Sequence, residues 1–278
     1  MSAKTRSRMV RMLVYAGAAS SMMVLLFIMG YILYKGIPHL SPKLFAWEYN
    51  SVNVSLLPAL INTLYMTILS LFIAVPLCVG AAIYLSEYAR RSNKLVKIVR
   101  LTAETLSGIP SIIYGLFGAL FYVMYLRMNL SLISGALTLS IMILPLIMRT
   151  TEEALIAVPN AFREGSYGLG AGRLRTTFSI VLPSAGPGIL AGVILGIGRI
   201  VGETAALIYT AGTVPEAATG LLDSARTLSV HMYTLSSEGL YIGETYATAV
   251  VLLVMVIGIN ALSIWTSEKL GRRNYGKI

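Results

Sequence analysis

Charge is what this sequence is short of. Among its 278 residues only 12% are Asp, Glu, Lys or Arg, against roughly 25% in a soluble domain, while 56% are hydrophobic and the mean hydropathy is +0.76. So few charges cannot clothe a water-facing surface of this size, and the long apolar runs have to be solvated by lipid. Cysteine is nearly absent as well. Cys78 stands alone inside an apolar run, which excludes an intrachain disulfide. One Cys and two His cannot assemble a Cys/His metal site, so no metal is expected. No Gly-x-x-x-x-Gly-Lys-Ser/Thr phosphate loop occurs anywhere in the chain. If ATP drives anything here, another subunit hydrolyses it, and this chain is expected neither to be an enzyme nor to bind a cofactor.

What is present is a series of apolar runs. A spanning helix takes about 20 mostly apolar residues. Six stretches qualify, near 12–34, 57–85, 103–126, 132–149, 186–210 and 245–266. The fourth is the weakest, with Pro145 and Arg149 near its end. The first follows Lys4, Arg6, Arg8 and Arg11 but is too long for the apolar core of a signal peptide, and no small-residue cleavage site follows it. It reads as an uncleaved first helix. The net charge of +10 lies in short clusters between apolar runs, which orients a membrane protein and argues against nucleic acid as a partner. With the N-terminus in the cytoplasm, seventeen of the 22 Lys and Arg fall on that side and four outside, with Arg199 left within the membrane. The expected organisation is a cytoplasmic segment 1–11, a six-helix transmembrane domain 12–266 and a cytoplasmic tail 267–278. Two long loops interrupt it, a cytoplasmic one over 150–185 and an acidic external one over 211–244. His39 and His231 fall in external loops, so an intramembrane hydrolase would have no base at membrane depth.

Within the first of those loops the chain reads Glu164-Gly165-Ser166, then Gly170, then Ile180-Val181-Leu182-Pro183. Gly170 tolerates positive φ, so two short helices joined there can present a knob, and Pro183 would punctuate re-entry into the fifth span. The spacing resembles the coupling-loop signature of binding-protein-dependent ABC importers, Glu-Ala-Ala, three residues, Gly, nine residues, Ile-x-Leu-Pro. Gly165-Ser166 departs from Ala-Ala but keeps both side chains small, so close helix packing is expected to survive. The plainer alternative is an ordinary re-entry loop with incidental spacing.

Arg199 and Glu203 are the residues most costly to place in a membrane. Their i, i+4 spacing would set both on one face of the fifth helix. One reading is a static ion pair. The other is an anion pathway in which Arg199 meets substrate through its planar fork while Glu203 holds it when the site is empty. Arg149 is either a second cation on that route or a positive-inside anchor.

The stretch Gly198-Arg199-Ile200-Val201-Gly202-Glu203-Thr204-Ala205 resembles phosphate importer permeases of the PstA type. So do Gly108-Ile109-Pro110-Ser111-Ile112-Ile113-Tyr114-Gly115, Arg149-Thr150-Thr151-Glu152 and Thr227-Leu228-Ser229-Val230-His231-Met232-Tyr233. The resemblance implies an all-α, type I, MetI-like permease with cytoplasmic coupling helices, in the cell membrane. It implies functional charges at Arg149, Arg199 and Glu203. Gly108 and Pro110 read as shaping the third helix, with a pathway-lining role as the alternative, since a Gly-x-Pro break exposes backbone groups that are tolerable only beside protein or water. The resemblance also implies a heterodimer with a PstC-like permease, a dimeric PstB-like ATPase binding ATP and Mg, and an extracytoplasmic PstS-like phosphate-binding protein. A permease for phosphonate, sulfate or molybdate, and a proton-coupled secondary transporter, remain as rivals.

Overall fold

The computed structural model describes residues 3–90 and 93–275. Among these residues every regular element is helical. In chain order they are α1 (Ala3–Gly36), α2 (Leu57–Ile83), α3 (Lys94–Ser107), α4 (Ser111–Gly118), α5 (Leu132–Ile156), α6 (Asn160–Gly168), α7 (Arg173–Thr176), α8 (Leu182–Gly202), α9 (Ala205–Thr210), α10 (Leu228–Glu238) and α11 (Ile242–Tyr275). π turns extend α2 through Tyr84–Tyr88 and α4 through Ala119–Tyr125, and another joins α7 to α8 over Thr177–Val181. Five helices are long and apolar enough to cross a membrane, or six when the bent α3/α4 pair counts as one span.

α5 lies at the centre, packed on α2 and α8, and is the most buried of the candidate spans. A helix wrapped by protein rather than lipid can carry polar groups as long as each is bonded. Thr138 and Ser140 donate to the carbonyls of Ser134 and Ala136, one turn back, while Thr151 Oγ1 has no hydrogen-bond partner among the described residues. α1 sits at the opposite extreme, lying on α11 with its apolar face outward. The two approach at Gly36, where a Cβ would fall 2.4 Å from the Tyr246 carbonyl oxygen.

Five features differ from the sequence reading. The span expected at 103–126 is broken after Ser107 and turns through 102° into α4. The region 150–185 is hardly a loop: α5 runs on to Ile156, and α6 and α7 fill most of the rest. Pro183 does not open the fifth span, because a continuous helix runs from Arg173 to Gly202. The π turn just before it gives the ring room within the helix. The acidic segment 211–244 contains a helix of its own, α10. α11 also continues past the tail boundary expected at 266. Arg91, counted among the basic residues of the second loop, lies outside the described residues.

Candidate functional site where two broken helices meet

The helix carrying Arg199 stops before Glu203. α8 ends at Gly202, Glu203 is extended (φ −73°, ψ 130°), and α9 begins at Ala205. Arg199 and Glu203 are therefore not one turn apart on a shared face, and no ion pair joins them among the described residues. The static-pair reading fails on this geometry. Each charge faces a helix end instead. Arg199 lies in the last turn of α8, where the free carbonyls favour a cation. The Glu203 carboxylate accepts from the Ala206 N–H (3.1 Å) at the start of α9. Glu203 is buried and Arg199 half-buried.

The other break faces this one. After Ser107 the chain passes through Gly108 and Ile109 to Pro110, whose backbone is extended. Pro110 disfavours a helical Ile109 and cannot continue a helix as a donor, so it accounts for the turn. Gly108 is less constrained, since a Cβ there meets nothing nearer than the Thr105 carbonyl oxygen at 3.6 Å. The Tyr114 hydroxyl donates to the Leu106 carbonyl (2.7 Å) and braces the bend from inside. Next to it, a Cβ on Gly115 would lie 2.7 Å from the Cα of Ala206, so α4 and α9 pack backbone to backbone. Arg199, in the last turn of α8, stands four residues before Glu203 and so lies on the helix end that runs into this junction. Two discontinuous helices thus meet at the end of α8, whose last-turn cation has no carboxylate partner among the described residues.

The 211–244 segment closes over this junction. Ser229 Oγ donates to the Glu203 carbonyl (2.5 Å), and Leu228 N–H donates to Thr63 Oγ1 (2.8 Å) on α2. Asn62 reaches the carbonyls of Glu216 and Arg226 and accepts from Ala218 N–H. Asp223 is exposed, and its bonds from Thr219 and Gly220 hold its carboxyl below the usual range. His231 is fully buried, edge-on to the Tyr49 ring, although it falls within the 211–244 segment. Burial, helped by the charge of Arg226, pushes its pKa down to about 3.

The opposite end of the bundle is built from paired charges. α6 and α7 meet at Gly170, which adopts φ +82° as the sequence required. Ser166 Oγ and Thr176 Oγ1 bond across the knob (2.8 Å). Glu164 and Gly165 are exposed, and a Cβ on Gly165 would meet nothing within 4 Å. Close packing therefore runs through Ser166 alone, not both small residues. Ile180 and Leu182 are half-buried and Pro183 exposed. The anchors of this end were not singled out from sequence. Arg163 Nη2 pairs with Glu87 Oε1 (2.7 Å), and Arg163 also donates to the carbonyls of Val158 and Leu155. Arg173 donates to the Glu87 carbonyl and lies over the Tyr88 ring. Arg100 pairs with Glu152 (2.5 Å). A lone carboxylate at the end of an apolar run, just before a basic cluster, was the available signal for Glu87. Arg149 is exposed on α5, within reach of Glu153 (3.0 Å) and of Glu104 (3.9 Å) near the end of α3, and among the described residues no ion pair joins it to Glu203. Among the described residues no group of acidic, His or Cys side chains could hold a metal.

Residues 74–274 match the model of a family described as the binding-protein-dependent transport system inner membrane component. The chain is 32% identical over 274 residues to the probable ABC transporter permease protein YqgI of Bacillus subtilis, covering 92% of this chain and 91% of that one. It is 36% identical over 210 residues to the phosphate transport system permease protein PstA of Haemophilus influenzae, covering 75% and 74%. Among solved structures it shares its fold with a chain of a bacterial alginate ABC transporter in complex with a pentasaccharide-bound periplasmic protein. There the TM-score is 0.66, at 17% identity, over 96% of this chain and 98% of that one.

Proposed function

The chain belongs to the binding-protein-dependent transport system inner membrane components, the permease subunits of ABC importers, and from that premise we propose that it carries inorganic phosphate. The observation that supports this most is Arg199, a cation at the end of a broken helix that abuts a second break, with no carboxylate paired to it among the described residues. Broken helices are tolerated at membrane depth where they line a water-filled cavity, and a guanidinium there suits an oxyanion. The PstA names of several relatives at 34–41% identity favour phosphate over other oxyanions. In this reading Arg199 meets the anion directly. Glu203 keeps the second break in shape and sets a negative boundary beside it, and Arg149 waits on the inner route. The proposed assembly pairs this chain with a PstC-like permease to complete the pathway, with both termini in the cytoplasm. A separate dimeric ATPase, PstB-like and binding ATP and Mg, would dock on the α6–α7 knob around Glu164 to Gly170. A PstS-like phosphate-binding protein would deliver substrate from the far side.

Reconstituted vesicles containing the chain and these partners test the proposal. ATP-dependent uptake of labelled phosphate is expected, and Arg199→Gln is expected to abolish it while the complex stays assembled. Uptake that follows a proton gradient without ATP removes the importer mechanism. Uptake of sulfate or molybdate in place of phosphate removes the substrate assignment alone.

A further inference from the structure

Arg226 is the most anomalous charge in the molecule. It opens the segment that leads into α10, and its side chain is only 5% exposed. No carboxylate lies within ion-pair distance of it among the described residues. Its guanidinium lies over the Tyr49 ring, 4.8 Å from the centroid. Nη1 makes one long bond to Thr234 Oγ1 (3.4 Å), while Nε and Nη2 have no protein partner. His231 beside it is neutral and supplies no counter-charge. A cation taken out of water without a counter-ion carries a large desolvation penalty, so its persistence needs an explanation.

The identity of the two free nitrogens supplies one. Nε–H and one Nη2–H run parallel along one edge of the guanidinium, and that edge grips two oxygens of a single oxyanion at once. Only the remaining nitrogen is spent on protein. The aromatic ring holds the guanidinium plane in place without consuming a donor. The segment is itself anchored: Arg226 N–H donates to the Val214 carbonyl, and its own carbonyl accepts from Asn62. Three residues on, Ser229 bonds the Glu203 carbonyl, so Arg226 is on the same braced segment that closes over the junction beside Arg199.

We propose that Arg226 is a second oxyanion subsite, placed on the acidic-loop side of the bundle, which receives inorganic phosphate before it reaches Arg199. This rests on the reading of the chain as a phosphate permease. A free ion suits the position better than a carboxylate on a docking protein, because Nε and Nη2 are shielded from bulk solvent and a folded surface cannot lie against them. The acidic residues of the same segment, Glu216, Asp223, Glu238 and Glu244, make it a poor general trap for anions and leave the fork as the selective element.

The test uses the assembled complex in lipid nanodiscs without ATP and without the binding protein. Retention of labelled inorganic phosphate, and separately of labelled sulfate, is followed by equilibrium dialysis. Arg226→Gln is expected to weaken phosphate retention about tenfold, and Arg226→Lys, which keeps the charge but not the fork, by a smaller factor. Co-elution of the subunits on size exclusion checks assembly, and if the Gln variant fails to assemble, the Lys variant decides. Retention equal in all three proteins overturns the subsite, as does an unsubstituted complex that holds neither anion. Retention of sulfate but not phosphate, lost on substitution of Arg226, keeps the subsite and removes the phosphate reading instead.

Discussion

The two ends of this bundle treat charge in opposite ways. At the end carrying α6 and α7, Glu87 is buried and Arg163 half-buried (6% and 15% of their side chains exposed), and they are matched to each other and to helix-terminal carbonyls. Towards the acidic segment, Arg199 and Arg226 have no carboxylate partner among the described residues, and Glu203 spends its charge on a backbone N–H. Charges that are fully paired in a dry environment lock elements together, because parting them exposes both to an uncompensated interior. Charges left open keep their interaction energy for a ligand. The first arrangement suits a joint that transmits movement from a partner docked on the knob into α2 and α5. The second suits a passage.

Breaking the closed end gives the largest effect. Glu87→Gln leaves Arg163 half-buried without its counter-charge, and that should lower stability by about 3–5 kcal/mol. Arg163→Lys should lose less, keeping the charge but not the several bonds to Glu87, Val158 and Leu155. Thermal unfolding of the purified protein measures both. Arg199→Gln in the same series should leave the unfolding temperature almost unmoved, since no ion pair is lost. Equal destabilisation by Glu87→Gln and Arg199→Gln would erase the contrast between the two ends.

The next effect appears with pH and belongs to the open end. His231 has a folded pKa near 3, below its usual 6.5. Above pH 6.5 neither the folded nor the unfolded histidine is charged, and stability is flat. As pH falls below that value the unfolded chain takes up a proton that the folded chain refuses. Stability should then drop by about 1.4 kcal/mol per pH unit down to about pH 3. The groups around the imidazole are Arg226, which opposes its protonation, and the Tyr49 ring. Unfolding temperatures between pH 7.5 and 5 should fall steeply for the natural sequence and more gently for His231→Phe. Parallel slopes would mean that His231 is not the buried group responsible.

Much of this architecture was legible in the sequence because lipid imposes a simple rule. Any helix facing hydrocarbon must be apolar all round, so α1, α2 and α11 stood out as runs. Gly170 was legible for a different reason: its positive φ is a local demand of the turn. The helix breaks were harder to read. Pro110 was visible as a shaping residue, but a 102° turn depends on what the two halves pack against, here Tyr114 to Leu106 and Gly115 to Ala206. The break before Glu203 contains no proline at all. Its i, i+4 spacing to Arg199 suggested a shared face that the chain does not keep, because Ser229 and Ala206 bind Glu203 in an extended form. Glu87 and Arg163 lie 76 positions apart, and nothing local announces their meeting.

The smallest effect tests how far the closed end tolerates change on its outer surface. Gly165 stands in the interior of α6, is exposed, and has open space where a Cβ would go. A glycine in an exposed helix interior costs about 0.5–1 kcal/mol relative to alanine, chiefly through the freedom that it gives the unfolded chain. Gly165→Ala should therefore raise stability by that amount in the isolated subunit, by thermal unfolding. Transport activity is the more telling readout. If Gly165 is only a surface position, uptake in the assembled complex should be unchanged. A gain in stability with a loss of ATP-dependent uptake would mean that the bare backbone at Gly165 is itself a contact with the ATPase. The closed end would then combine a rigid inner joint with an outer face fitted as closely as the joint.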